Sequence, residues 1–258
     1  MANVKVLVEG YLSEDNDGRT ASTVSLVLDK NIVMVVDPGY LKDQKVLTDA
    51  LKKEGFAPED VNMVCITHSH IDHYKNVALF PKAKVLEYFG LWDTEGRMEE
   101  WQENFTENIQ ILKTPGHDYT CITLFVKTDD GVVAICGDVF WKQDYPKMDI
   151  YATNLKDLEK SRKLVLEMSH WIIPGHSGMY KTANGHRLAG LPAGRQAKNG
   201  KKVPEEASGS CRKCHRAFKK PADRCFCQEW LCYRHCECEF DCNVCNCKRK
   251  QVGDIKHK

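Results

Sequence analysis

Thr67-His68-Ser69-His70-Ile71-Asp72-His73 is the stretch that decides the reading of this chain. It places four potential metal ligands within six residues, directly after a strand-like apolar run that begins at Val61. Spaced alternately in a loop, His68 and His70 can turn to one metal ion while Asp72 and His73 turn to another. Imidazole nitrogen and carboxylate oxygen suit a borderline ion such as Zn²⁺. Three further candidates stand downstream: His117 after Thr114-Pro115-Gly116, Asp138 after Gly137, and His176 after Pro174-Gly175. Each closes a predicted strand, and the preceding glycines free the backbone to turn a ligand into a shared cleft.

The flanking pattern supplies the frame for that cleft. Val4, Val6 and Val8 alternate with Lys5 and Leu7, Val24, Leu26 and Leu28 alternate in the next run, and Ile32–Val36 is continuously apolar up to Asp37-Pro38-Gly39. Asp43–Glu54 turns helical, with Val46, Leu47, Ala50 and Leu51 on one face and Gly55 as its stop. Strand signals resume at Val85–Tyr88, Ile109–Lys113 and Cys121–Thr128, and Asp129-Asp130-Gly131 predicts a hairpin into Val132–Cys136. Asn154 is placed to cap a helix with Leu155, Leu158, Val165 and Met168 on one stripe, before a last strand at Trp171–Ile173. Strands in two blocks, with helices between and after them, predict an α/β chain of two sheets sandwiched by helices.

Composition divides the chain. Its 258 residues, 42% hydrophobic and 28% charged, suffice for one good core and a small appendage. No apolar run approaches the roughly 20 residues of a membrane span, and Met1–Val8 has no signal-peptide pattern, so no membrane association is expected and a reducing, cytoplasmic setting is (nuclear in a eukaryote). Residues 1–182 carry 20 Lys+Arg against 28 Asp+Glu, residues 183–210 carry 5 against 2, and residues 211–258 carry 12 against 6. The formal net charge of +1 therefore joins an acidic body to a basic tail, which suggests an anionic partner. The 13 cysteines are split likewise: Cys65, Cys121 and Cys136 read as packing residues of apolar strands, and ten lie between Cys211 and Cys247. The expected organisation is a catalytic domain over 1–182, a linker over 183–210 and a Cys-rich zinc-binding module over 211–248.

His-x-His-x-Asp-His, with the later His, Asp and His, resembles the metallo-β-lactamase superfamily over residues 1–182. The resemblance implies an αββα sandwich with one zinc ion at His68, His70 and His117, a second at Asp72, His73 and His176, and Asp138 bridging the two. Val8-Glu9-Gly10-Tyr11, Asp72-His73-Tyr74-Lys75-Asn76, Gly137-Asp138-Val139-Phe140 and Ile173-Pro174-Gly175-His176 are similar to a branch linked to endonucleolytic cleavage of RNA, histone pre-mRNA in particular. At Lys75 that pattern has glycine.

The chemistry expected of such ligands is hydrolysis. Two zinc ions bring the pKa of a bridging water to near neutral and hold the hydroxide for attack, with Asp72 as the proton relay. RNA is the expected substrate, and Phe140, Trp141, Tyr145 and Tyr151 with Lys142 and Lys147 read either as a loop that could stack bases and meet phosphates or, at least as well, as an ordinary hydrophobic loop. A second insert, Trp92 to Trp101, is placed to wall the cleft. Hydrolysis of lactones, thioesters or β-lactams is the alternative on the same metal site, and an iron sulfur-dioxygenase a third.

In the tail, Cys211-x2-Cys214-x10-Cys225-x-Cys227-x4-Cys232-x2-His235 resembles an AN-one-type zinc finger. That likeness implies Cys211, Cys214, Cys225, Cys227, Cys232 and His235 as structural ligands, with Cys242 and Cys245 standing in for the remaining ones. Ten cysteines with His215 and His235 suffice for two or three tetrahedral zinc sites. A module this short has almost no apolar core, so metal would supply its folding energy, and its role would be to bind RNA or a protein.

Overall fold

The computed structural model describes residues 1–13 and 17–183. The linker expected over 183–210, apart from its first residue, lies outside the described residues, as do the Cys-rich module and the ligands assigned to it.

Among the described residues two sheets form. The first runs β1 (Asn3–Val8), β2 (Val24–Asp29), β3 (Ile32–Val36), β4 (Met63–Cys65), β5 (Lys84–Leu86), β6 (Leu91–Trp92) and β7 (Met98–Glu99), in that spatial order. The second contains β8 (Ile109–Lys113), β9 (Ile122–Thr128), β10 (Gly131–Ile135), β11 (Trp171–Ile173) and β12 (Tyr180–Lys181), ordered β12-β11-β10-β9-β8. β3, β4 and β5 are parallel to one another, as are β10 and β11. The hairpin at Asp129-Asp130 pairs Gly131 with Thr128.

Side-chain alternation builds the layers. Val27, Met34, Met63 and Cys65 of the first sheet meet Ile111, Ile122, Leu124, Val133 and Ile135 of the second in one buried cluster. The outer face of the first sheet, Leu26, Val35 and Val64, buries Leu47 and Leu51 of α1 (Lys45–Lys53). Each of these two leucines contributes roughly 1.5–3 kcal/mol by leaving water. The outer face of the second sheet, Phe125, Ala134 and Ile172, takes Leu158 and Val165 of α3 (Leu155–Met168), whose first turn is capped by the Asn154 side chain. Helix–sheet–sheet–helix is therefore the layering.

Some local expectations shift. Val46 and Leu155 are exposed, so the buried helix faces are narrower than the sequence stripe. The Trp92–Trp101 insert, through Glu100 and Trp101, lines a cavity with Tyr88, Phe89, Glu103 and Lys113 that contains none of the seven candidate ligands. It forms the β6–β7 hairpin that extends the first sheet, and the Trp101 indole donates to the Glu87 carbonyl and packs against the intersheet core. Among the described residues no helix is long and apolar enough to cross a membrane.

Candidate metal centre

The topology brings the seven sequence-singled ligands to one edge. β3, β4 and β5 end there in the first sheet, and β8, β10 and β11 in the second. Ile122 N donates to Thr67 O at 2.8 Å and Thr23 N to Gly175 O at 2.6 Å, which ties the loops of the two sheets together. His68 and His70 follow β4, Asp72 and His73 lie in the short helix α2 (Ile71–Tyr74), His117 follows β8, Asp138 follows β10 and His176 follows β11.

They fall into two groups, one of His68, His70, His117 and Asp138 and one of Asp72, His73 and His176, with the donor atoms of each group within 4.8 Å of one another. His68 Nε2 and His117 Nε2 each lie 3.0 Å from His70 Nδ1. A tetrahedral ion with bonds of about 2.0–2.1 Å holds its ligand atoms roughly 3.3 Å apart, so these donors lie close to the spacing that one ion would give them. Asp138 spans both groups. Its Oδ2 lies 3.3 Å from His117 Nε2 and 3.8 Å from His68 Nε2, and its Oδ1 lies 3.4 Å from His73 Nε2 and 3.2 Å from His176 Nε2. Asp72 Oδ2 stands 3.7 Å from His176 Nε2.

The donor set fits a metal. His73 Nε2 and Asp138 Oδ1 are buried without a hydrogen-bond partner, a costly state for polar atoms that cation coordination relieves. Nitrogen and carboxylate donors of this kind suit zinc.

Residues that the sequence did not single out orient the ligands. The Asp37 carboxylate, at the end of β3, accepts from His73 Nδ1 at 2.8 Å and from Thr67 N and Oγ1 at 2.8 and 2.7 Å. Asp149 accepts from His117 Nδ1 at 2.6 Å, and the Ala21 carbonyl from His176 Nδ1 at 2.9 Å. Each of these bonds holds the proton on Nδ1 and leaves Nε2 free toward the cluster. Thr20 Oγ1 lies 3.4 Å from Asp72 Oδ2. In Asp37-Pro38-Gly39 the sequence shows only a strand end. The available signal was a carboxylate closing an apolar strand beside the ligand-bearing ones.

Electrostatics separates the histidines. Burial pushes His68 and His70 down, which keeps them neutral and ready to ligate. Burial also opposes charge on His73, but Asp37 and Asp138 outweigh it and hold the imidazole well above its ordinary value. Burial would raise Asp138, yet His176 and His73 hold it well below the usual carboxylate range.

The first part of the loop after Asp138 follows the hydrophobic-loop reading. Phe140 and Trp141 are buried, and Trp141 sits edge-on to His117 with ring centroids 6.2 Å apart. Cys65, Cys121 and Cys136 are buried free thiols, the latter two just flanking β9 and β10 rather than inside them.

Comparison with known proteins agrees with this architecture. The model of the metallo-β-lactamase superfamily matches residues 17–111. The Xenopus laevis protein named Metallo-beta-lactamase domain-containing protein 1 is 30% identical over 199 residues, spanning 72% of this chain and 84% of that protein. A Methanocaldococcus jannaschii protein named "Probable metallo-hydrolase" is 29% identical over 68% of this chain and 87% of its own length. A metallo-β-lactamase-type structure from Thermotoga maritima superposes with a TM-score of 0.56 at 21% identity, covering 70% of this chain and 99% of that one.

Proposed function

Because the chain belongs to the metallo-β-lactamase superfamily and is a metal-dependent hydrolase, we propose that it is a dinuclear zinc endoribonuclease. The observation that carries the proposal is the sharing of Asp138 between two donor groups, since one carboxylate reaching both is what a two-ion site needs. Two zinc ions held there would lower the pKa of a water between them and polarise the phosphoryl oxygen under attack.

The chain's own residues do the rest. His68, His70 and His117 would hold one side of the site, and Asp72, His73 and His176 the other, with His73, His117 and His176 aimed by the hydrogen bonds described above. Asp72 is the least enclosed carboxylate of the set, its side chain 15% exposed. Its free oxygen takes the proton of the attacking water and returns it to the leaving 3′ or 5′ oxygen.

RNA is favoured by the charge distribution. An acidic body would repel a polyanion, and the tail's 12 Lys+Arg against 6 Asp+Glu offsets that repulsion. Cys211, Cys214, Cys225, Cys227, Cys232, His235, Cys242 and Cys245 would hold structural zinc and give the basic tail a fixed shape. Incubating the zinc-loaded full chain with end-labelled single-stranded RNA, beside Asp138→Ala, tests the reading. Internal fragments from the parent and none from the variant are expected. Intact RNA alongside hydrolysis of a lactone or of nitrocefin would overturn it.

A further inference from the structure

Beside the metal centre two tyrosines stand out into solvent. Tyr119 is 62% exposed and Tyr151 is 66% exposed, although both belong to loops that bind a metal-site histidine. Thr153 N donates to His117 O at 3.0 Å and Asn154 N to Gly116 O at 2.9 Å, so the two loops run antiparallel. Tyr119 lies two residues beyond His117 and Tyr151 two residues before Thr153. Two residues of chain span at most about 7 Å, so the backbone of each tyrosine lies close to the His117–Thr153 contact.

Tyr151 is held as a platform. Its ring stacks on Trp141 at 5.7 Å with an interplanar angle of 28°, and Trp141, only 8% exposed, packs edge-on against His117 and against Tyr145. One face of Tyr151 is thus supported by a buried ring in contact with a ligand, and the rest of the side chain is open. Its backbone is fixed as well, because Tyr151 N donates to Asp149, the carboxylate that orients His117. Met148 and Ile150 of the same loop are exposed as well, and exposed apolar surface of this kind marks a recognition site.

From this geometry we infer that Tyr151 is the stacking platform for a base of single-stranded RNA next to the scissile bond. A base matches what is there: a flat pre-set ring face, the exposed Lys147 on the same loop for a neighbouring phosphate, and a position two residues from Asp149, the carboxylate bonded to the candidate ligand His117. The inference rests on the ribonuclease reading above.

The experiment uses full-length, zinc-loaded chain carrying Tyr151→Ala, Tyr151→Phe or neither, with single-stranded RNA and the same RNA made abasic at successive positions. Tyr151→Ala is expected to raise KM about 5- to 150-fold, the range that base–aromatic stacking spans on alanine substitution, with kcat and metal content unchanged. Tyr151→Phe keeps the parent KM. An abasic substitution at the position bound by the platform weakens the parent by a similar factor and leaves Tyr151→Ala unaffected. A parent that cleaves RNA while Tyr151→Ala performs equally well, or while Phe fails as badly as Ala, overturns the platform alone. A parent inert toward RNA overturns the ribonuclease reading and the platform with it.

Discussion

The Asp37 carboxylate and the His73 imidazole are joined at 2.8 Å between Oδ2 and Nδ1, both side chains buried. The same carboxylate grips the backbone and hydroxyl of Thr67, the residue that launches the histidine loop. One buried acid therefore fixes the exit of β4 and the ring orientation of a ligand three residues past His70. Asp37→Asn is expected to weaken metal binding at the Asp72–His73–His176 group about 10- to 100-fold, the usual effect of losing such an orienting partner. Chelator competition on the full chain measures it, and an unchanged affinity would remove Asp37 from the site.

Asp149 does the same for His117 at 2.6 Å. Asp149→Asn should weaken the His68–His70–His117 group by a comparable factor while sparing the other. Cobalt-substituted protein, titrated one equivalent at a time, reports the two groups separately. Losses confined to the wrong group, or equal in both variants, would contradict the division of ligands.

Gly175 stands against Asp138 so closely that an added Cβ would collide with its Oδ1. Gly175→Ala should therefore displace the shared carboxylate and abolish activity, with a thermal transition still visible because the clash is with a side-chain end. Retention of parent activity and metal content would show that Asp138 need not sit where it does.

The fold and the metal ligands were largely legible in the sequence because both rest on local signals. Alternation in β1 and β2, the Asn154 cap and the Asp129-Asp130 hairpin act over a few residues. The ligands announce themselves as clustered histidines after apolar runs. Asp37, Asp149 and Ala21 were not legible, since their roles depend on which loops the topology brings together. Which aromatics of the loop after Asp138 are buried was not legible for the same reason: only packing against α3 and His117 distinguishes Phe140 and Trp141 from exposed loop aromatics such as Tyr151.

Proton release should accompany zinc uptake. Asp37 and Asp138 hold His73 protonated above the ordinary histidine range, against the opposing effect of burial. In the metal-free chain that pairing is complete at low pH and is lost as pH rises through the raised value. The contribution of Asp138 is present above the usual carboxylate range and lost only as pH falls through its lowered value. Zinc must displace the His73 proton, so affinity should rise with pH, by about tenfold per unit for each proton displaced. Calorimetry in buffers of different ionisation enthalpy counts those protons, and a pH-independent affinity would contradict the assignment.

Cys65, Cys121 and Cys136 are buried, and burial pushes all three thiols up. In the native chain, iodoacetamide at mildly alkaline pH should leave peptides containing them unmodified, and denaturation should expose them. Labelling as fast before unfolding as after it would show that these strand ends open.

Zinc content bears most directly on the central claim that seven residues hold two ions. Full-length chain and a His73→Ala/His117→Ala double variant are dialysed together and assayed for metal, so that whatever the C-terminal cysteines bind cancels in the difference. The parent is predicted to retain two more zinc ions per chain than the variant. Equal contents, or iron in place of zinc in the parent, would contradict it.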